Sequence, residues 1–255
     1  MADWSLSTIP PQEGKVILIT GGNSGLGYES ALALAQAGAT VIISARNEAK
    51  GQAALAAIRA AVPGARVELL ALNLADLASI RQAAETFRQR YTRLDVLMNN
   101  AGVMATPYQK TADGFEMQFG TNHLGHFALT GQLLDLLLNT PESRVVNVSS
   151  NLHMRGQMNF ADLHGEQGYS RWGAYGQSKL ANLLFTYELQ RKLSRYGAST
   201  IAVGAHPGYA ATNLQSGSSR LYSGLMWVAN KLFAQSAAAG ALSQIYAAAM
   251  PDVQG

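Results

Sequence analysis

The chain has 255 residues, 48% of them hydrophobic, and a formal net charge of +3, which suits one large α/β domain with a sizeable core. Charged residues make up only 14%, against about 25% in an average soluble domain, and no run of Lys or Arg forms a basic stripe, so nucleic acid is not an expected partner. The chain has no cysteine, which excludes disulfides, thiolate catalysis and cysteine-ligated metals and fits a reducing, cytoplasmic setting.

Residues 1–15 carry Asp3, Pro10, Pro11 and Glu13 and lack the apolar centre of a signal peptide. No apolar stretch reaches the roughly 18 residues that span a bilayer. From there the pattern alternates. Val16–Thr20 reads as a buried strand, Leu26–Ala37 as a helix stopped by Gly38, and Thr40–Ser44 as a second strand. Glu48–Ala61 reads as a helix, Val67–Leu72 as a strand, Leu77–Tyr91 as a helix and Asp95–Met98 as a strand. Phe115–Asn139 is helical up to Pro141, followed by strand Arg144–Ser149, a long helix Ala174–Tyr196 and strand Thr200–Ala205. A last helix, Gln235–Met250, has Ser236 as a candidate N-cap. Short apolar strands alternating with amphipathic helices predict a doubly wound parallel sheet covered on both faces, in one domain over residues 1–255.

Three stretches carry chemistry. Strand Val16–Thr20 runs into Gly21-Gly22-Asn23-Ser24-Gly25-Leu26-Gly27 and then a helix. Glycines allow positive φ and a close approach of backbone to a diphosphate, and the helix start offers N–H groups to the anion. The second strand ends Ser44-Ala45-Arg46-Asn47, with no acid where a ribose 2′-hydroxyl would need one. A guanidinium at Arg46 suits a 2′-phosphate instead, so NADP(H) is favoured over NAD(H). Tyr175 and Lys179 stand four apart on one helix face. An ammonium there favours the phenolate, and together with the positive nicotinamide of a bound cofactor it is expected to bring the phenol down toward neutral pH. The strand ending in Ser149-Ser150 brings a hydroxyl to the sheet end where ligands bind, and Asn99-Asn100-Ala101-Gly102 ends another strand. The five histidines are scattered and predict no metal site; His123 and His126 share a helix face, and His206 precedes Pro207.

These motifs, in this order, resemble the short-chain dehydrogenase/reductase family along essentially the whole chain. The stretch Tyr175-Gly-Gln-Ser-Lys-Leu-Ala-Asn-Leu-Leu-Phe185, with Asn147-Val-Ser-Ser150 and His206-Pro-Gly208, is similar to the retinol dehydrogenase and protochlorophyllide reductase-like group. The resemblance implies a Rossmann-like fold and hydride transfer between NADP(H) and a small apolar alcohol or carbonyl substrate. It implies a tetrad of Asn122, Ser150, Tyr175 and Lys179, with Ser150 holding the substrate oxygen and Tyr175 passing the proton. Lys179 would bind the nicotinamide ribose, and Asn122 would hold a water in a relay to it. Gly21, Asn23, Ser24, Gly25, Leu26 and Gly27 would line the diphosphate. Asn73 and Leu74 would flank adenine and Asn100 the adenosine ribose, with Ala101 and Gly102 also among the cofactor-binding residues. Pro207, Gly208 and Thr212 would line the nicotinamide. A homo-oligomer is compatible with the family.

Two departures stand out. The stretch Asn151–Trp172 between Ser150 and Tyr175 is longer than in many compact members and carries Met154, Met158, Phe160 and Tyr169. Relatives usually carry one more strand after the last helix, and the expectation is that this strand is lacking. A non-catalytic NADP(H)-binding regulator on the same fold is the competing reading.

Overall fold

The computed structural model describes residues 4–208 and 236–255. Six parallel strands form one sheet in the order β3-β2-β1-β4-β5-β6. They are β1 Val16–Ile19, β2 Thr40–Ala45, β3 Val67–Ala71, β4 Val96–Asn99, β5 Arg144–Val148 and β6 Ile201–Ala205. Between them run α1 Gly25–Gln36, α2 Glu48–Ala61, α3 Leu77–Arg90, α4 Met117–Phe119, α5 Gly125–Leu138 and α6 Arg171–Arg195, and α7 Ala237–Ala249 follows β6.

The alternation of side chains along each strand feeds two cores. Val16 and Leu18 face a cluster with Ile80, Phe87, Leu129, Leu133, Leu189 and other residues of α3, α5 and α6. Ile17 and Ile19 face the opposite cluster, built with Leu34, Leu55, Ile58 and Ala248 of α1, α2 and α7. Both faces of the sheet are therefore dry, which is why its strands are continuous apolar runs rather than alternating ones. The chain leaves β1 toward β2 and leaves the neighbouring β4 toward β5, so the connections diverge at the carboxyl ends of β1 and β4, where such sheets open a crevice.

The elements follow the sequence expectation with shifts of a few residues at their ends. The helix expected over Phe115–Asn139 is built differently: α4 passes through a π-helical turn, Gly120–Leu124, before α5. α6 begins three residues earlier than the spacing predicts because Ser170 accepts a hydrogen bond from Gly173 N and caps it there. Ser236 caps α7 as expected, accepting from Ala239 N. Among the described residues no helix is long and apolar enough to cross a membrane.

Candidate active site

The carboxyl end of β1 turns through Gly21 and Gly25, both at positive φ (66° and 54°), into α1. Gly27 sits so close to the end of β4 that a Cβ would lie 2.5 Å from Asn100 Nδ2 and from Gly21 O. The helix start differs from its neighbours. Asn47, Asp76, Ser170 and Ser236 each cap their own helices with a side-chain oxygen, whereas Ser24 makes no such bond to α1. The first-turn N–H groups of α1 are thus left without a side-chain acceptor above a glycine-lined hollow, and this fits a diphosphate. Leu26 is buried against Ala241 and Ile245, so only its backbone can face that hollow.

Arg46 is exposed just past the end of β2 and makes no hydrogen bond or ion pair among the described residues. Starting α2 falls to Asn47, whose Oδ1 accepts from Lys50 N at 2.9 Å, so Arg46 is not needed there. Asn73 is in a local turn, its Oδ1 accepting from Ala75 N. Leu74 belongs to the core, which leaves its backbone alone to flank a base. Asn100 is a strut: its Nδ2 donates to Thr20 O at 2.8 Å, and its Oδ1 accepts from Gln244 Nε2 at 3.1 Å. Gln244, fully buried on α7, also donates to Ser30 Oγ at 2.8 Å on α1. Gly102 lies where a Cβ would meet Asn122 Oδ1 at 3.1 Å and Lys179 Nζ at 3.7 Å.

At the end of β5 the two serines divide their work. Ser149 Oγ donates to Lys179 O at 2.8 Å and is structural. Ser150 Oγ accepts weakly from Leu152 N at 3.3 Å and shares a hydrogen bond with the Tyr175 phenol. Lys179 Nζ donates to Val148 O at 3.0 Å and lies 5.7 Å from the centre of the Tyr175 ring. Burial pushes Lys179 down to about 8.

Burial pushes the Tyr175 phenol up to about 12, with the Ser150 hydrogen bond pulling the other way. The expected fall toward neutrality also calls on the positive nicotinamide of a bound cofactor; Lys179 Nζ itself donates to the Val148 carbonyl. The Asn122 amide is held against the backbone of Val103. Its Oδ1 accepts from Val103 N at 2.8 Å, and its Nδ2 donates to Val103 O at 2.9 Å and to Ser178 Oγ at 3.0 Å.

Residues Asn151–Trp172 open with a 3-10 turn, Asn151–Arg155, and then lie against α6. Gly156 touches that helix so closely that a Cβ would lie 2.3 Å from Gly176 O. Gln177 holds the segment from beneath, accepting from Asn159 N and donating to Leu163 O, each at 2.9 Å. Tyr169 anchors the far end. Its hydroxyl accepts from Gln118 Nε2 at 2.8 Å and lies 2.9 Å from Thr106 O. Trp172 packs edge-on to Tyr175, with ring centres 6.3 Å apart, while Met154 and Phe160 are exposed.

The structure therefore brings Ser150, Tyr175 and Lys179 together, with Asn122 and Gly102 behind them. Pro207 and Gly208 follow β6, where Gly208 N donates to His206 Nδ1 at 3.1 Å. Thr212 lies outside the described residues. On α5, Leu133 and Leu137 are core and Leu138 is exposed. Sequence reasoning missed Thr20, Gln118 and Gln244, which have partners far away along the chain, and Gln177, whose partners lie 14 and 18 residues away. It named His126 only in connection with metal binding. Among the described residues no group of three or more His, Asp or Glu side chains could hold a metal ion.

Comparison with known proteins agrees with this geometry. The family model described as short chain dehydrogenase matches residues 15–221. Retinol dehydrogenase 12 of Mus musculus is 44% identical over 241 residues, covering 94% of this chain and 75% of that protein. The crystal structure of a putative uncharacterized protein from Mycobacterium paratuberculosis is 43% identical, covers 99% of this chain and 82% of its own, and superposes with a TM-score of 0.80. A putative short chain dehydrogenase from Shigella flexneri, complexed with NADP, is 27% identical with a TM-score of 0.66 over 80% of this chain and 81% of its own. A short chain dehydrogenase/reductase from Burkholderia phymatum, in complex with NAD, shares the fold at 22% identity and a TM-score of 0.73, over 92% of this chain and 85% of its own.

Proposed function

The chain belongs to the short-chain dehydrogenase/reductase family of oxidoreductases, and from that premise we propose that it interconverts a small apolar alcohol and its carbonyl with NADP(H), using Tyr175 as general acid and base. The observation that carries the reading is the meeting of Ser150, Tyr175 and Lys179 at the end of β5, two strands from the glycine hollow at the end of β1.

Burial raises the Tyr175 phenol, so it is protonated at neutral pH and set to donate in the reducing direction. The Ser150 hydroxyl, already paired with that phenol, holds the substrate oxygen beside it. When bound, the reduced nicotinamide supplies hydride to the carbonyl carbon. The proton from Tyr175 completes the alcohol at the oxygen, and alcohol oxidation runs the same path backwards. Lys179 stands behind the ring, where its charge stabilises the phenolate left after transfer. Trp172 and the apolar residues of 151–172 supply a wall suited to an apolar substrate. The name of the mouse relative makes retinoids a natural first member of the substrate panel.

NADP(H) is preferred in this reading because β2 ends without an acid and Arg46 stands there without a partner among the described residues. The test is NADPH and NADH consumption by the purified protein against a panel of aldehydes and ketones that includes retinal. NADPH should be used at least about tenfold better, and Arg46→Ala should erase most of that margin. Equal use of both cofactors overturns the role of Arg46. Tight NADPH binding with no turnover across the panel overturns the enzymatic reading in favour of a regulator.

A further inference from the structure

His126 sits in the first turn of α5 and is 2% exposed. Both of its ring nitrogens are used. Nδ1 lies 2.9 Å from Asn122 O and Nε2 lies 2.9 Å from Thr20 Oγ1. The protonation pattern follows from the partners. A carbonyl oxygen only accepts, so Nδ1 carries the hydrogen and donates it. Thr20 Oγ1 already accepts from Asn100 N at 2.9 Å and from Ala101 N at 3.0 Å, which fills both of its lone pairs. Its own hydrogen must therefore be given away. Nε2 at 2.9 Å is the nearer acceptor, since Met98 O lies at 3.3 Å. All the bonds then run one way, from the backbone of Asn100 and Ala101 to Thr20, on to His126 and from there to the π-helical turn.

Each end of this chain of bonds meets a different half of the site. Thr20 closes β1 into the glycine hollow, and Asn100 packs against Gly27. At the other end Asn122 clamps Val103 and holds Ser178, the residue before Lys179. We propose that His126 is a positioning residue which, as the Nδ1-protonated tautomer, couples the loops that would hold the cofactor to the turn that orients the proton-transfer helix. Desolvation keeps the ring neutral, pushing it down to about 4, which preserves an acceptor at Nε2. A ring that only filled space would be better apolar, because burying two polar nitrogens is unfavourable unless both are bonded.

The functional half of this inference rests on the proposed NADP(H) reading, whereas the tautomer does not. Three variants separate the two arms. In His126→Asn the shorter amide reaches the Nδ1 position and can still donate to Asn122, but it loses Thr20. In His126→Gln the amide reaches the Nε2 position and can still accept from Thr20, but it loses Asn122. His126→Phe keeps a ring and loses both arms. The readouts are NADPH Kd by fluorescence, kcat with a saturating carbonyl, and nitrogen-15 NMR of the wild-type ring. The Asn variant should raise Kd by about fivefold to tenfold, more than it lowers kcat. The Gln variant should do the reverse by a similar factor, and the NMR should show hydrogen on Nδ1 and none on Nε2. An Nε2-protonated wild-type ring, or Asn and Gln variants that shift Kd and kcat alike, overturns the proposal even where His126→Phe fails to fold. A folded Phe variant with wild-type Kd and kcat overturns it as well. A wild-type protein that neither binds nor oxidises NADPH overturns the functional reading and with it the coupling, while the NMR result still decides the tautomer.

Discussion

The glycine hollow follows β1 and the segment 151–172 follows β5, and the two are held by different means. The hollow is shaped by backbone: positive φ at Gly21 and Gly25, and a close approach of Gly27 to Asn100 that no side chain could share. The segment is held by side chains from elsewhere, chiefly Gln177 from α6 and Gln118, which meets Tyr169. A surface made by backbone suits a ligand that never changes. A surface pinned at a few points by amides and a phenol can change its remaining residues and keep its place. In the proposed reading, the difference assigns cofactor recognition to one region and substrate selection to the other.

That division can be broken by experiment. The largest effect belongs to the seam between the regions. Tyr175→Phe should lower kcat by about 10² to 10⁴ with NADPH Kd within twofold or so of wild type. A variant that keeps its turnover ends the catalytic assignment. Next comes acid stability, measured by urea unfolding from pH 7 to 4. His126 is held at about 4, below its ordinary value of 6.5, so between those values the unfolded chain binds a proton that the folded one refuses. The stabilisation is complete above pH 6.5 and is lost as pH falls toward 4, by about 3 kcal/mol. The His126→Gln protein should show a flatter profile over that window, and an unchanged slope would place the titration elsewhere.

Two smaller effects test the halves separately. Gly27→Ala puts a methyl 2.5 Å from Asn100 Nδ2 and Gly21 O. It should raise NADPH Kd by about tenfold or more, equivalent to about 1.4 kcal/mol, and leave the substrate KM close to wild type. Tyr169→Phe removes the hydroxyl that meets Gln118 and Thr106, a loss of about 1 kcal/mol. It should raise the substrate KM severalfold and leave NADPH Kd alone. If either variant moves both constants equally, the two regions are not independent.

The same contrast explains what the sequence made legible. Strands β1 to β6 were readable because both faces of the sheet are dry and the runs are apolar without alternation. The hollow was readable because its chemistry is written in glycines next to one another. The π-helical turn at Gly120–Leu124 was not readable, since a one-residue change of helical register leaves no periodic mark in five residues. Nor could Tyr169 be matched to Gln118, or His126 to Thr20, because their partners are 51 and 106 residues apart along the chain. The four-residue spacing of Tyr175 from Lys179 is visible in sequence, but the burial of the phenol and the direction in which Lys179 points are not.

The contact between Gly156 and Gly176 has a consequence for altering substrate range. Two backbones meet there with no side chain between them, so the gap cannot be adjusted by small steps: any added carbon at Gly156 lands 2.3 Å from a carbonyl oxygen. The wall is therefore fixed in its distance from Tyr175, one residue away on the same helix, while its surface is open to exchange. Libraries aimed at new alcohols or carbonyls are best confined to Met154, Met158 and Phe160, with Gly156, Gly176, Gln177 and Tyr169 left as a frame.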